Sequence, residues 1–492
     1  MDRTGITMLS HSRLRRGWDA ALTLVSALGF AVLVSASSAP AQDLPPDPDS
    51  ARALRMNVDD GFSVASVGDI IISHPIARND DPRFTAMTEV IRNADVAFGN
   101  FEGSAFDIDT FEGYPAAEYG GAWLIGVPGV GSDLKALGFD MLSRANNHTT
   151  DWGVEGMTAT SRVLNEAGLV HAGSGHDLAA ARGAHYFETS KGRVGLVSIA
   201  SSFTPMSRAA DPQGEAPGRP GLSALRTSTH ALVTEDEMEV LRGIKEAQPE
   251  ESSQEDEEAG EDEAEQEDED ELSLFGVDYR VGDGRGVEYA MNENDVHGFL
   301  AAIREAKRSS DFVIATIHAH EPGNWSDEPP DFLEELARQA IDAGADQFVG
   351  HGPHQLRGIE IYEGKPIFYS LGNFVFQVEL QHPVGRGLYE QYGLTGEQIT
   401  DPEFNRRWLD QYFDDEKWYE SVIAETRFED GRVSEIRLHP VELGFERRTA
   451  NRGVPRTARP ERATEILKTL KALSKPYGTE IDVEDGVGII RR

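Results

Sequence analysis

The chain has 492 residues, enough for two or three average domains or for one large α/β domain with insertions. Its 85 acidic and 46 basic residues give a formal net charge of −39, which argues against nucleic acid and anionic membranes as partners. It contains no cysteine, which excludes disulfide staples, thiolate metal sites and a lipid anchor on cysteine.

Residues 1–41 read as a secretory signal. Arg13, Arg15 and Arg16 supply the basic region, Ala20 to Ala36 is mostly apolar and short for a membrane span, and Ala39-Pro40-Ala41 is an A-x-A cleavage site. The expected location is periplasmic or extracellular, with no stable membrane span after cleavage. An uncleaved anchor is the alternative, and Arg15–Arg16 is the pair a twin-arginine signal would carry. Residues 42–60, rich in Pro and Asp, read as a disordered linker.

From Phe62 onward β and α patterns alternate. Strands are expected at 64–67, 96–98, 141–142, 169–172 and 193–200, with helices over 82–93, 130–137, 156–167, 293–307 and 332–343. The 82–93 helix places Phe84, Met87, Val90 and Ile91 on one face. Residues 201–292 break this rhythm. Residues 234–271 hold 20 acids and 2 bases, and such a run repels itself and buries no core, so a disordered acidic insert is expected there. Residues 377–418, rich in Tyr, Trp, Gln and charge, read as an inserted lid or loop. Two alternating runs flank Glu429-Asp430-Gly431, a hairpin signal. A helix follows over 459–473. One domain is therefore expected over 61–479, with 480–492 as a C-terminal tail.

The polar residues that could do chemistry cluster where strands end. Residues 312–325, FVIATIHAHEPGNW, deliver His318, His320 and Glu321 after an apolar run, and residues 349–354, VGHGPH, present His351 and His354 from a Gly/Pro turn. Three more runs deliver Asp69, then Asn100 and Glu102, then Asn146, Asn147, His148 and Asp151; SLGNFVF adds Asn373. Imidazole is the commonest metal ligand, and sites in open α/β sheets collect at the carboxyl ends of strands. Taken singly, each residue has a plainer reading. Asp69 could cap a helix, Asn146 and Asn147 could form a turn, Glu102 could be a loop acid, and the two histidines could order their turn.

The order and content of these clusters resemble the CapA family of capsule and poly-γ-glutamate synthesis proteins, itself related to the calcineurin-like metallophosphoesterases. The matching residues are Gly68–Asp69, Asn100–Phe101–Glu102, Asn146–Asn147–His148 with Asp151 and Gly153, His318 with Glu321, Gly350–His351 with Pro353–His354, and Ser370 to Phe374. The resemblance implies an α/β fold, a calcineurin-like metallophosphoesterase sandwich of two facing β-sheets flanked by helices. It implies one or two divalent metal ions, manganese, iron, zinc or magnesium, held by Asp69, Glu102, Asn147, His318, His351 and His354, with Glu102 as a candidate bridge. His148, oriented by Asp151, would be the acid or base or would bind phosphate. Asn100, Asn146, His320, Glu321 and Asn373 would stand behind the ligands or against substrate. The phosphoesterase pattern opens D-x-H, whereas Asp69 precedes Ile70 and Ile71, so the histidine of that opening has no counterpart here and the resemblance implies one tightly held metal or a weaker second one.

The expected function is that of a secreted, metal-dependent hydrolase or transferase of capsule or poly-γ-glutamate metabolism. Its substrate would be an anionic polymer or a phosphoester, and other capsule-export proteins are candidate partners. A non-catalytic protein that binds or exports an anionic polymer is the second reading, and a structural surface protein the third.

Overall fold

Strand Phe62–Ile71 is buried along its whole length, as expected of a β run with a sheet on both flanks and cover on both faces. In the computed structural model, which describes residues 57–116, 122–248, 270–282 and 284–491, it sits in the middle of a ten-stranded sheet. On one side it pairs in parallel with Val96–Phe101, followed by Met141–Ser143 and Val170–Ala172. Its other edge is divided. Residues 62–66 pair antiparallel with Glu420–Glu429, and residues from Asp69 pair in parallel with Asn373–Phe376.

A six-stranded sheet runs in the order Ile359–Tyr362, Lys365–Phe368, Gln347–His351, Phe312–His318, Gly192–Ala200 and His185–Thr189. Its four middle strands are parallel. The alternation of side chains divides both sheets into faces. Phe62, Val64, Val96 and Phe98 of the large sheet share one buried cluster with Val194, Leu196, Phe312, Ile314 and Phe368 of the second. The intervening residues face away. Ala65, Val67 and Ala97 pack with Phe84, Met87 and Ile91 of helix Pro82–Asn93 and with Leu134 of helix Gly129–Leu137. Val313, Ala315 and Ile317 pack with Phe299 and Ile303 of helix Glu293–Ser309 and with Leu333 and Leu336 of helix Asp331–Asp342.

The local signals explain where these helices start. Asp81 caps helix Pro82–Asn93 by accepting from the Arg83 N–H at 2.9 Å, and Pro82 occupies its first turn. Asn292 caps helix Glu293–Ser309 by accepting from Asp295 N–H. The 429–431 hairpin forms as read, with Asp430 at φ 51° and Gly431 at φ 67° between Glu420–Glu429 and Arg432–Glu442.

Three readings change. Part of the acidic stretch is ordered: helix Glu235–Glu246 is capped reciprocally by Thr234 and Glu237 and buries Met238 against Leu272 and Leu274. Those two residues belong to a separate four-stranded sheet built from Thr227–Val233, Glu271–Leu274, Val277–Val281 and Gly286–Met291. The densest acidic run, 249–269, lies outside the described residues. Residues 480–492 are no simple tail, because Val487–Arg491 pairs with Arg432–Glu442 and Asp482–Glu484 adds the last strand. The 377–418 segment is largely helical, with Arg386–Gln391 and Asp401–Tyr412 around a small core of Leu388, Tyr389, Ile399 and Phe404. The signal and most of the linker lie outside the described residues, although Val58 at the end of the linker is buried. Among the described residues no helix is long and apolar enough to cross a membrane.

Candidate metal centre

Asp69 should point outward if the alternation of its strand ran unbroken, since Ala65 and Val67 do. It does not, because the register shifts between Ser66 and Asp69 and again before Ile70. Val67 and Ile70 both pack in the outer cluster, so one residue is gained between them and Asp69 turns to the inner side. Gly68 makes this irregularity feasible: a Cβ there would sit 1.8 Å from the Gly372 carbonyl oxygen. That carbonyl accepts the Asp69 N–H at 2.9 Å.

The second sheet supplies histidines from adjacent positions. His318 and His351 end parallel neighbouring strands and are register partners, and both fall on the face that carries Ile314 and Val349 inward. Past His351 the chain turns sharply. Gly352 adopts φ 115°, where a Cβ would lie 2.7 Å from the Ala319 carbonyl, and His354 adopts φ 58°. This turn aims His354 back at the first sheet and lets Gly352 N–H donate to Asp69 Oδ2 at 3.2 Å.

The groups converge. His351 Nδ1 lies 3.3 Å and His318 Nδ1 3.9 Å from Asp69 Oδ1, and His354 Nδ1 lies 3.6 Å from Asp69 Oδ2. Glu102 Oε1 stands 3.8 Å from His318 Nε2, 3.9 Å from His354 Nε2 and 3.8 Å from His148 Nε2. Ligand atoms around a tetrahedral cation with bonds near 2.1 Å sit about 3.4 Å apart, so these separations leave room for an ion between them. Two triads have their donor atoms within 4.8 Å of one another, Glu102–His318–His320 and Asp69–Glu102–His354, and they share Glu102.

The environment favours cation binding. Both carboxylate oxygens of Glu102 are buried without a hydrogen-bond partner, as are both ring nitrogens of His351. A buried carboxylate left so costs several kcal/mol, of the order that makes such groups neutralise or take a cation. Burial, with the charges of Asp69 and Asp151 added, pushes the Glu102 carboxyl well above the usual range. Burial acts the same way on Asp69, but the contact with His351 and the charges of His351, His318 and His354 outweigh it and hold that carboxyl well below its ordinary value. Burial and the neighbouring His320 lower His318 strongly and His354 to about 4. Both rings are therefore neutral near pH 7, the form that offers a lone pair to a metal. Imidazole nitrogens with carboxylate oxygens suit manganese, iron or zinc.

Surrounding amides fix the ligand set. Asn100 Nδ2 donates to Asp69 Oδ1 at 2.9 Å and lies 3.0 Å from His318 Nδ1. Asn146 Nδ2 donates to Asn100 Oδ1 at 3.2 Å and to the Phe101 carbonyl at 2.8 Å. Asn373 Oδ1 lies 2.9 Å from His354 Nδ1, while its Nδ2 donates to the carbonyls of His354 and Trp418. His148 Nδ1 meets Asp151 Oδ2 at 2.7 Å, and Leu124 N–H donates to the same oxygen at 2.7 Å. His148 is thus held with Nε2 toward Glu102. Asn147 and His148 line a cavity of about 240 Å³ with His320 and His354. Glu321 stands apart from the ligand cluster: its Oε2 accepts from Ser201 and Ser202 at 2.8 and 3.1 Å. Ser202 also accepts His320 N–H at 2.8 Å.

Several participants were not picked out from the sequence. Asn324 Oδ1 lies 2.6 Å from His320 Nδ1 and sets that ring; it sits in the already noted HAHEPGNW stretch, four residues past His320. Phe376, Trp408 and Phe413 wall the cavity; Phe376 ends the already noted SLGNFVF stretch, and only the aromatic content of the 377–418 segment hinted at the other two.

Residues 63–378 match the family described as bacterial capsule synthesis protein PGA_cap, and the chain belongs to it. It is 48% identical over 445 residues to the uncharacterized protein y4sH of Sinorhizobium fredii (strain NBRC 101917 / NGR234), covering 88% of this chain and 94% of that one. Over 324 residues it is 28% identical to the PGA biosynthesis protein CapA of Bacillus subtilis (strain 168), covering 65% of this chain and 64% of that protein. The capsule biosynthesis protein CapA of Bacillus anthracis is 23% identical over 321 residues, covering 64% of this chain and 60% of that protein.

Proposed function

We propose that this protein is a secreted, metal-dependent hydrolase or transferase of capsule or poly-γ-glutamate metabolism, built on a calcineurin-like two-sheet sandwich. The observation that carries the metal reading is Glu102: a fully buried carboxylate with no hydrogen-bond partner, ringed by three histidine nitrogens at 3.8–3.9 Å. Asp69, Glu102, His318, His351 and His354 would hold the metal, with Asn147 and His320 at its margin. Bound there, a divalent ion would polarise a phosphoryl or carbonyl oxygen and lower the pKa of bound water.

The chain's own groups do the rest. Asp151 accepts from His148 Nδ1–H, which leaves Nε2 facing the cavity to give or take a proton. Asn373 Oδ1, accepting from His354 Nδ1–H, keeps that ring in the ligating orientation, and Asn100 Nδ2 lies between Asp69 Oδ1 and His318 Nδ1 and fixes their spacing. Trp408 and Phe413 line the cavity beside these groups.

The experiment is elemental analysis of protein purified without chelator, followed by a screen of phosphodiesters, phosphomonoesters and poly-γ-glutamate with each candidate metal restored. The expected result is at least one tightly held divalent ion and turnover that chelation abolishes. Metal-loaded protein that binds the polymer but turns nothing over replaces the enzyme with a polymer-binding or export protein.

A further inference from the structure

The cavity beside the candidate ligands has two unlike sides. Asn147, His148, His320, Asn324 and His354 make the polar side; Leu124, Phe376, Trp408 and Phe413, with their aliphatic neighbours, make the other. Among the described lining residues there is no lysine or arginine. The apolar side is a built surface. Phe413 stands edge-on to the His354 ring at 5.7 Å, Phe376 packs on both His354 and Phe413 at 5.9 and 5.2 Å, and Trp408 meets Phe413 at 5.4 Å. Trp418 backs Phe413 at 5.3 Å. The wall therefore begins one ring's width from a candidate metal ligand, and its position is set by five interlocked aromatic groups.

We propose that this wall selects the substrate: the group entering next to the reacting atoms is uncharged and apolar or flat, and Trp408 and Phe413 are the residues that determine it. A carboxylate pressed against Phe, Trp and Leu without a cationic partner loses its hydration for nothing, at a cost of several kcal/mol. A polymer bearing a carboxylate on every unit meets that penalty at this wall, whereas an aromatic or branched aliphatic group gains by burial. Size points the same way. About 240 Å³ is below the usual span for drug-sized ligands, so the group that enters beside the reacting centre is a single small one. The inference rests on the metal reading only for where the reacting atoms lie.

The test uses inert phosphonates on the full, metal-loaded protein, read by calorimetry. Phenylphosphonate is expected to bind about tenfold or more tighter than methylphosphonate, and 3-phosphonopropionate no tighter than methylphosphonate. Trp408→Ala and Phe413→Ala, with metal content measured alongside and expected unchanged, should each shrink the phenyl-to-methyl ratio to within about threefold. The proposal is overturned if the ratio in the unaltered protein is near one, if 3-phosphonopropionate binds tightest, or if both variants keep the preference. Benzamide against acetamide, which need no metal to anchor them, gives the same comparison on metal-free protein. Failure of the metal reading is thereby distinguishable from failure of the wall.

Discussion

His351 faces Asp69 and His148 faces Glu102, and the two are expected to fail differently. His351→Ala removes a nitrogen facing Asp69 at 3.3 Å, so metal content and turnover should fall together, checked by elemental analysis beside a rate assay. His148→Asn keeps the ligand set, so metal content should stay near wild type while turnover drops about 10²–10⁴-fold, the usual worth of a positioned acid or base. Loss of metal in His148→Asn would make His148 a ligand. Gly68 gives a third expectation. Its absent Cβ is replaced in space by the Gly372 carbonyl at 1.8 Å, so Gly68→Ala should cost at least about 3 kcal/mol in urea unfolding; a loss below about 1 kcal/mol would show that the strand shifts freely. The ligand-type residues were legible because carboxylate, amide and imidazole each follow an apolar run. What was not legible is how Asp69 faces inward, since that depends on a bulge formed against Gly372, a residue some 300 positions away. Trp408 and Phe413 escaped notice for the same reason: their segment carries no periodic link to the strands it covers.

Glu442 shows how elements are tied together. From the end of strand Arg432–Glu442 it accepts from Arg83 Nη1 at 2.7 Å on helix Pro82–Asn93, and from Arg459 N–H and Nε at 3.2 Å at the cap of helix Pro460–Ser474. Burial opposes its ionisation, but the hydrogen bonds from Arg83 and Arg459 prevail and lower its pKa below the ordinary 4.5. The stabilisation is therefore full above about pH 4.5 and is lost as pH falls through the folded-state value. Glu442→Gln should cost about 1–3 kcal/mol near pH 7, and the gap to wild type should close as urea melts are taken from pH 6 down to pH 3. A gap that stays constant with pH would assign the loss to packing. Helices were the most legible elements, since a cap and a 3.6-residue stripe are local properties; Pro82–Asn93 matches its reading end to end. Strand Asp482–Glu484 was missed because an edge strand exposed along its length lacks a hydrophobic run, and Val487–Arg491, which lies between it and Arg432–Glu442, because its apolar run is only Ile489 and Ile490 beside Val487. Helix Glu235–Glu246 was missed because its acidic surface hides a single buried Met238.

At the scale of the molecule, the alternation of β and α patterns told of sheets covered by helices, while the division into two sheets sharing a core is a tertiary fact that no segment carries. The acidic run 249–269 tests which parts the fold needs. Its composition is dominated by acids and has no aromatic residue to bury, so the fold is expected not to depend on it. Deleting it, with helix Glu235–Glu246 and strand Glu271–Leu274 left intact and joined by a short Gly/Ser linker, should leave the melting temperature within about 2 °C of wild type, which in a chain of this size corresponds to no more than about 2 kcal/mol. A larger drop in a thermal melt would show that the run binds ions or a surface that holds the domain together.

Strand Phe62–Ile71 comes early in the chain but occupies the middle of its sheet, and this has a consequence for biogenesis. One flank is met within 40 residues, by Val96–Phe101; the other waits for Asn373–Phe376 and Glu420–Glu429. A chain released N-terminus first therefore carries an open, apolar strand edge until some 430 residues have emerged, the condition that invites capture by holdase chaperones or mispairing. The large sheet cannot be completed before Glu420–Glu429 has emerged, although every strand of the six-stranded sheet is present by Phe368. Asp69 is aligned only once Gly372 arrives, so the candidate centre closes late, and a nascent polypeptide carries the candidate ligands without the geometry to use them.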